Sequence, residues 1–128
     1  MDILGLGFDA TDIPRVADVY ERYGDRFLRR VFTEGEIAYC TRRRNPVPHL
    51  AGRFAAKEAV LKVLGTGWRG GIAWTDVEVI RESSGQPKIT LTGECQRIAK
   101  DLGISTWHVS ISHIETHATA SAIGLRGE

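Results

Sequence analysis

The chain has 128 residues, 42% hydrophobic and 26% charged, with a formal net charge of +1. That length suits one compact domain, expected over residues 1–128, with a core large enough to form without disulfide staples. Near-neutral charge argues against a general nucleic-acid binder. No apolar run approaches the ~20 residues of a membrane span. The N-terminal Met1-Asp2-Ile3-Leu4-Gly5 lacks the basic and apolar regions of an export signal. Cys40 and Cys95 share no motif, so free thiols and a cytoplasmic location are expected.

Alternation over residues 3–9 sets Leu4, Leu6 and Phe8 against Ile3, Gly5, Gly7 and Asp9. This predicts a strand with one face nearly stripped of side chains, ending in a carboxylate. Thr11 or Asp12 can cap a helix with Pro14 in its first turn. Val16, Val19, Tyr20 and Tyr23 form its stripe, and Gly24 stops it. A short helical segment around Phe27, Leu28 and Val31 follows, and the Thr33–Glu36 spacing predicts a capping box opening another helix. Asn45-Pro46-Val47-Pro48 reads as a break before the longest helix, about residues 49–64. Its buried side is Leu50, Phe54, Leu61 and Leu64, with Ala51, Ala55, Ala56 and Ala59 allowing close packing. Gly65-Thr66-Gly67 ends it. Val77 and Val79, then Ile89 and Leu91, predict a hairpin around Ser83-Ser84-Gly85-Gln86. Residues 94–102 read as a short amphipathic helix stopped by Gly103. Trp107, Val109 and Ile111 alternate in one strand, and Ala118, Ala120 and Ala122 in another. The fold class is α+β, helices on a mostly antiparallel sheet.

Three charged residues stand in core-like surroundings: Asp9, Glu58 and Lys62. Glu58 and Lys62 project from one helical face, with Cβ atoms roughly 5–6 Å apart. Spacing alone favours a plain surface ion pair for them, and Asp9 equally suits a cap on the next helix. Taken together, two carboxylates from different elements suit magnesium, and a nearby lysine suits the charge of a leaving phosphate. The loop at Gly65-Thr66-Gly67 could bring backbone N–H groups to phosphate. His108 and His113 fall on opposite faces of their strand, so a zinc site with His117 is not expected. Arg22, Arg26, Arg29 and Arg30, and the run Arg42-Arg43-Arg44, are basic windows that suit a solvated surface, an anionic ligand or an acidic partner.

The sequence resembles holo-[acyl-carrier-protein] synthases, the bacterial type of phosphopantetheinyl transferase. Leu50 to Ala59, LAGRFAAKEA, matches the central signature, continued by Lys62 and Gly65-Thr66-Gly67. Gly5-Leu6-Gly7-Phe8-Asp9 with Arg15 matches the first motif, and Trp107 to His113, WHVSISH, the last. The resemblance implies that family's fold and transfer of phosphopantetheine from coenzyme A to a serine of acyl carrier protein. It implies Asp9 and Glu58 as magnesium ligands, with Glu58 and Lys62 catalytic. Arg53, Lys62, Gly65, Ser112 and His113 would bind coenzyme A. Arg15, Arg22 and Arg26 would dock the acidic carrier. It further implies a homotrimer with active sites between protomers. The loop Trp68-Arg69-Gly70-Gly71 is bulkier than the motif needs, Ile114 follows His113 where some relatives carry a polar residue, and Arg42–Arg44 has no counterpart. Two rival readings are a non-catalytic domain of the same fold and a small structural protein whose charges merely pair at the surface.

Overall fold

The computed structural model describes residues 2–65 and 71–127. Chain order is β1 (Asp2–Asp12), α1 (Ile13–Tyr23), α2 (Asp25–Val31), α3 (Glu34–Thr41), α4 (Pro46–Leu64), a 3₁₀ turn (Trp74–Asp76), β2 (Val77–Arg81), β3 (Pro87–Leu91), α5 (Gly93–Leu102), β4 (Thr106–His113) and β5 (His117–Arg126). Two antiparallel sheets form, one in the order β1-β5-β4 and the other the β2–β3 hairpin. Among the described residues, no helix is long and apolar enough to cross a membrane.

Helix α4 is the centre of the packing. Leu50, Ala51, Ala55, Ala56, Ala59, Val60 and Leu61 are all buried, so apolar contact surrounds most of its circumference. One core cluster joins its C-terminal half to Val77, Val79, Ile89, Cys95 and, on β5, Ala120 and Ala122. A second joins its N-terminal end to Val16, Leu28, Phe32 and Cys40. The helix starts at Pro46 rather than near residue 49. Prolines in the first turn remove N–H groups that have no intrahelical partner there, so Pro46 and Pro48 open the helix instead of delaying it.

Strand β1 runs three residues beyond the expected end, to Asp12, because pairing with β5 continues to Asp12↔His117. Its glycine face lies against α4. A Cβ built on Gly7 would stand 2.0 Å from the Ala59 carbonyl oxygen, so only glycine lets strand and helix approach this closely. Leu6 and Phe8 point the other way and are 69% and 57% exposed.

Among the described residues, one buried ion pair crosses between elements. Lys57 and Glu36 side chains are wholly buried, with Nζ 2.7 Å from Oε1. Lys57 also donates to the carbonyls of Trp74 and Val77. Glu36 accepts from Thr33 N, completing the expected capping box, and from Val79 N. The pair therefore ties α3, α4 and β2 through satisfied polar groups, the condition under which buried charge is tolerated.

Candidate active site

Asp9 and Glu58 come together because β1 lies flat on α4. Both line a cleft of about 410 Å³ with Thr11, Asp12, Arg15, Phe27 and Phe54. The expected cap from Asp9 onto α1 does not form. Its Oδ2 instead accepts the Thr11 hydroxyl at 2.9 Å, while Asp12 occupies the N-cap position without a side-chain cap bond. Burial, then the Asp9 carboxylate, pushes the Glu58 carboxyl above its usual range, with Lys62 partly opposing.

The surface ion pair that spacing allowed between Glu58 and Lys62 is not formed. Lys62 turns to β1, where its ammonium donates to the Phe8 carbonyl at 2.7 Å and to Asp9 Oδ1 at 3.2 Å. Its side chain is half exposed while that of Asp9 is mostly covered. A lysine and two carboxylates from different elements thus converge on one opening. Such a pair of acids, repelling each other and open to solvent on one side, fits a hard divalent cation that keeps waters and phosphate oxygens as its other ligands. Among the described residues, three or more metal-type side chains nowhere cluster.

The residues expected at the nucleotide occupy a different place. Arg53, Ser112 and His113 line a second cavity of about 370 Å³ with Pro48, His49, Gly52, Val79, Arg81, Pro87 and Ile111. Arg53 is buried at 5% exposure, and its Nε has no hydrogen-bond partner. Within one chain, the Asp9–Glu58 cleft and the Arg53–His113 cavity share no lining residue. Gly65 caps α4 in the left-handed region at φ 72°, whereas Thr66, Gly67, Trp68, Arg69 and Gly70 lie outside the described residues. Arg15 joins the acidic cleft. Arg26 lines a shallow groove with Val19, Tyr23, Phe27 and Arg30, and Arg22 is exposed in the last turn of α1.

Sequence reasoning missed Tyr39, His49 and Arg81, which surround Arg53. The Tyr39 and His49 rings lie 6.1 Å apart, and His49 and His113 rings 6.2 Å apart, both edge to face. Burial and the surrounding cations, Arg53 first, hold the His49 imidazole below its usual pKa. These side chains come from α3, α4, β2 and β4, and only the fold joins them. It missed Lys57 as well, although Leu50, Phe54, Lys57, Leu61 and Leu64 follow a 4-3-4-3 spacing that puts this lysine on the core stripe.

Residues 5–122 match the family model of the 4'-phosphopantetheinyl transferase superfamily. The holo-[acyl-carrier-protein] synthase of Koribacter versatilis is 48% identical over 121 residues, covering 94% of this chain and 97% of that one. That of Gloeobacter violaceus is 48% identical over 126 residues, 94% and 92% of the two chains. The crystal structure of the Neisseria meningitidis synthase superposes with a TM-score of 0.89 at 29% identity, covering 98% of this chain and 100% of that one. The Helicobacter pylori synthase in complex with coenzyme A gives 0.82 at 28% identity, over 94% and 99%. Full-length similarity in both sequence and fold leads to one conclusion: the chain belongs to the 4'-phosphopantetheinyl transferase superfamily, among its holo-[acyl-carrier-protein] synthases.

Proposed function

We propose that this chain is a magnesium-dependent enzyme that transfers the 4'-phosphopantetheine group of coenzyme A to a serine of apo acyl carrier protein, releasing adenosine 3',5'-bisphosphate. The observation that carries this reading is the convergence of Asp9, Glu58 and Arg15 on one cleft, with the Lys62 ammonium held at its edge. Asp9 and Glu58 would hold the cation, which supplies charge neutralisation and positioning for the pyrophosphate. The carrier serine oxygen bonds to the phosphorus on the pantetheine side as the bridging P–O bond to the nucleotide breaks. Glu58, directly or through a water it orients, accepts the serine proton. Lys62 stabilises or protonates the phosphate that leaves. Arg53, Ser112 and His113 bind the nucleotide end, with the backbone at Gly65 beside the phosphates.

Separation of the two cavities within one chain supports a site completed by a neighbouring copy, as in the homotrimer that the resemblance implies. The outer face of β1 supports it too. Leu6 and Phe8 are exposed there, with Leu6 paired opposite Ile123, and an apolar sheet face of this kind is usually covered. Arg15, Arg22 and Arg26 would steer an acidic carrier, an effect that salt weakens. Cys40 and Cys95 are unpaired and buried, their thiols pushed up to about 11 and about 12 by burial, which suits a reducing cytoplasm.

The test is metal removal. Thorough chelation should abolish transfer, and magnesium should restore it to the wild-type protein but not to Asp9→Asn or Glu58→Gln. Transfer that survived chelation would overturn the role given to the two carboxylates.

A further inference from the structure

Thr11 carries a hydroxyl that its place in the fold does not require. It lies two residues beyond Asp9 on β1, so both side chains leave the same face of the strand. The residue is buried at 8% exposure. Pairing with β5 is complete in the backbone there, with Thr11 opposite Ala118 and Asp12 opposite His117. Valine would fill the same space on the same β-branched stem, with no hydroxyl to withdraw from water. Packing therefore gives no reason for the oxygen.

The hydroxyl donates to Asp9 Oδ2 at 2.9 Å. Opposite Asp9 and Thr11 on β5 stand Ala120 and Ala118, which offer only methyl groups. Among the described residues, the other side chain that bonds this carboxylate is Lys62, whose ammonium lies 3.2 Å from Oδ1. Each carboxylate oxygen thus has one holder, and the two holders differ in kind. Lys62 is half exposed on a long stem, and its charge would be repelled by a cation arriving at Oδ1. Thr11 is neutral, short and fixed by the strand. Rotation of an aspartate about its last torsion is otherwise loosely restrained, so once the ammonium leaves, the Thr11 bond is what keeps the carboxylate plane in place.

We infer that Thr11 is a positioning residue for Asp9, holding Oδ2 so that Oδ1 stays presented to the divalent cation when the Lys62 ammonium withdraws. This rests on the reading that Asp9 and Glu58 hold that cation, and it adds the residue that prepares one of the two acids. Carboxylates that ligate metals are themselves generally hydrogen-bonded, and the partner governs affinity through the ligand it orients.

Two variants test it. Thr11→Val removes the hydroxyl and keeps the shape, whereas Thr11→Ser keeps the hydroxyl and loses the methyl. Manganese(II) is titrated into each protein saturated with coenzyme A, with no carrier present so that nothing turns over. Electron paramagnetic resonance counts the free ion, against a baseline of manganese and coenzyme A alone. Thr11→Val should weaken manganese binding about tenfold, the low end for loss of such a partner, because water can reach Asp9. Thr11→Ser should bind near wild type, since serine offers the same donor. In turnover, the magnesium concentration for half activation should rise by the same factor in Thr11→Val, with kcat recovered at saturating magnesium. A hydroxyl with a merely structural role would move the melting temperature and leave the metal affinity alone. Asp9→Asn, titrated alongside, separates the two readings. Manganese binding that survives intact in Asp9→Asn would overturn the metal assignment and this inference with it. Binding lost in Asp9→Asn but unchanged in Thr11→Val would overturn this inference alone. Equal weakening in Thr11→Val and Thr11→Ser would overturn it too, by tracing the loss to packing.

Discussion

Replacing Gly7 by alanine should damage catalysis through geometry alone. A Cβ at this position meets backbone, 2.0 Å from the Ala59 carbonyl oxygen and 2.9 Å from its carbon. Ordinary contact between such atoms needs well over 3 Å, so strand and helix must part by roughly 1 Å or more. Overpacking of this kind costs about 1–3 kcal/mol of stability. The displacement falls between Asp9, two residues along β1, and Glu58, the neighbour of Ala59 on α4. A misplacement of about 1 Å at a reacting centre can cost about 100-fold in rate. Gly5 supplies the comparison, because its added Cβ would meet the Val63 Cγ1 methyl at 2.9 Å and the nearest backbone atom only at 3.5 Å, so strand and helix need part far less. Turnover, thermal melting and magnesium titration on both variants read the outcome. Gly7→Ala should melt as a folded protein with turnover down about two orders of magnitude, and Gly5→Ala should stay near wild type. Equal activity in the two variants would refute the view that close strand–helix contact sets the spacing of Asp9 and Glu58.

Lys57→Met should lower stability to urea by about 3–5 kcal/mol, because Glu36 then remains buried without its cation. Adding Glu36→Gln should recover part of that loss, whereas strictly additive losses would contradict the coupling. Glu58 binds its proton more tightly in the folded chain than in the unfolded one, so its ionisation removes stability as pH rises from the ordinary carboxylate range through the raised value. Without added divalent cation, Glu58→Gln should therefore melt higher than wild type at pH 7. The advantage should vanish near pH 4, and a variant that melts lower at pH 7 would count against the strain assigned to this carboxylate. Mixing Asp9→Asn with Arg53→Ala protomers, each nearly inactive alone, should restore up to about a quarter of wild-type activity if each site draws on two copies of a randomly mixed ring. No recovery in verified mixed trimers would place both cavities in the service of one chain.

What could be read beforehand was local. The Thr33–Glu36 capping box lies within four residues, and it forms as expected. Gly5 and Gly7 announced a strand stripped for close approach, and the structure presses it against Ala59 and Val63. Pro46 was misread because the same residue that breaks a helix interior is welcome in a first turn. The partner of Lys62, Asp9 rather than Glu58, was hidden because spacing along α4 says nothing about a strand lying over it. The Tyr39 cluster escaped notice for the same reason: Arg43, Arg53 and Arg81 meet on one ring only after three elements pack together. Lys57 was legible in part, since its place on the buried stripe demanded an acid, but nothing local named Glu36.

Weighing a carrier protein reads the transfer itself. Purified protein is incubated with coenzyme A, magnesium and apo acyl carrier protein, and the intact mass of the carrier is followed. A gain of one phosphopantetheine on the carrier serine is expected, absent with Glu58→Gln although that variant stays folded. An unchanged carrier mass with several different carriers, despite measurable binding of coenzyme A, would contradict it and leave a binding protein of the same fold.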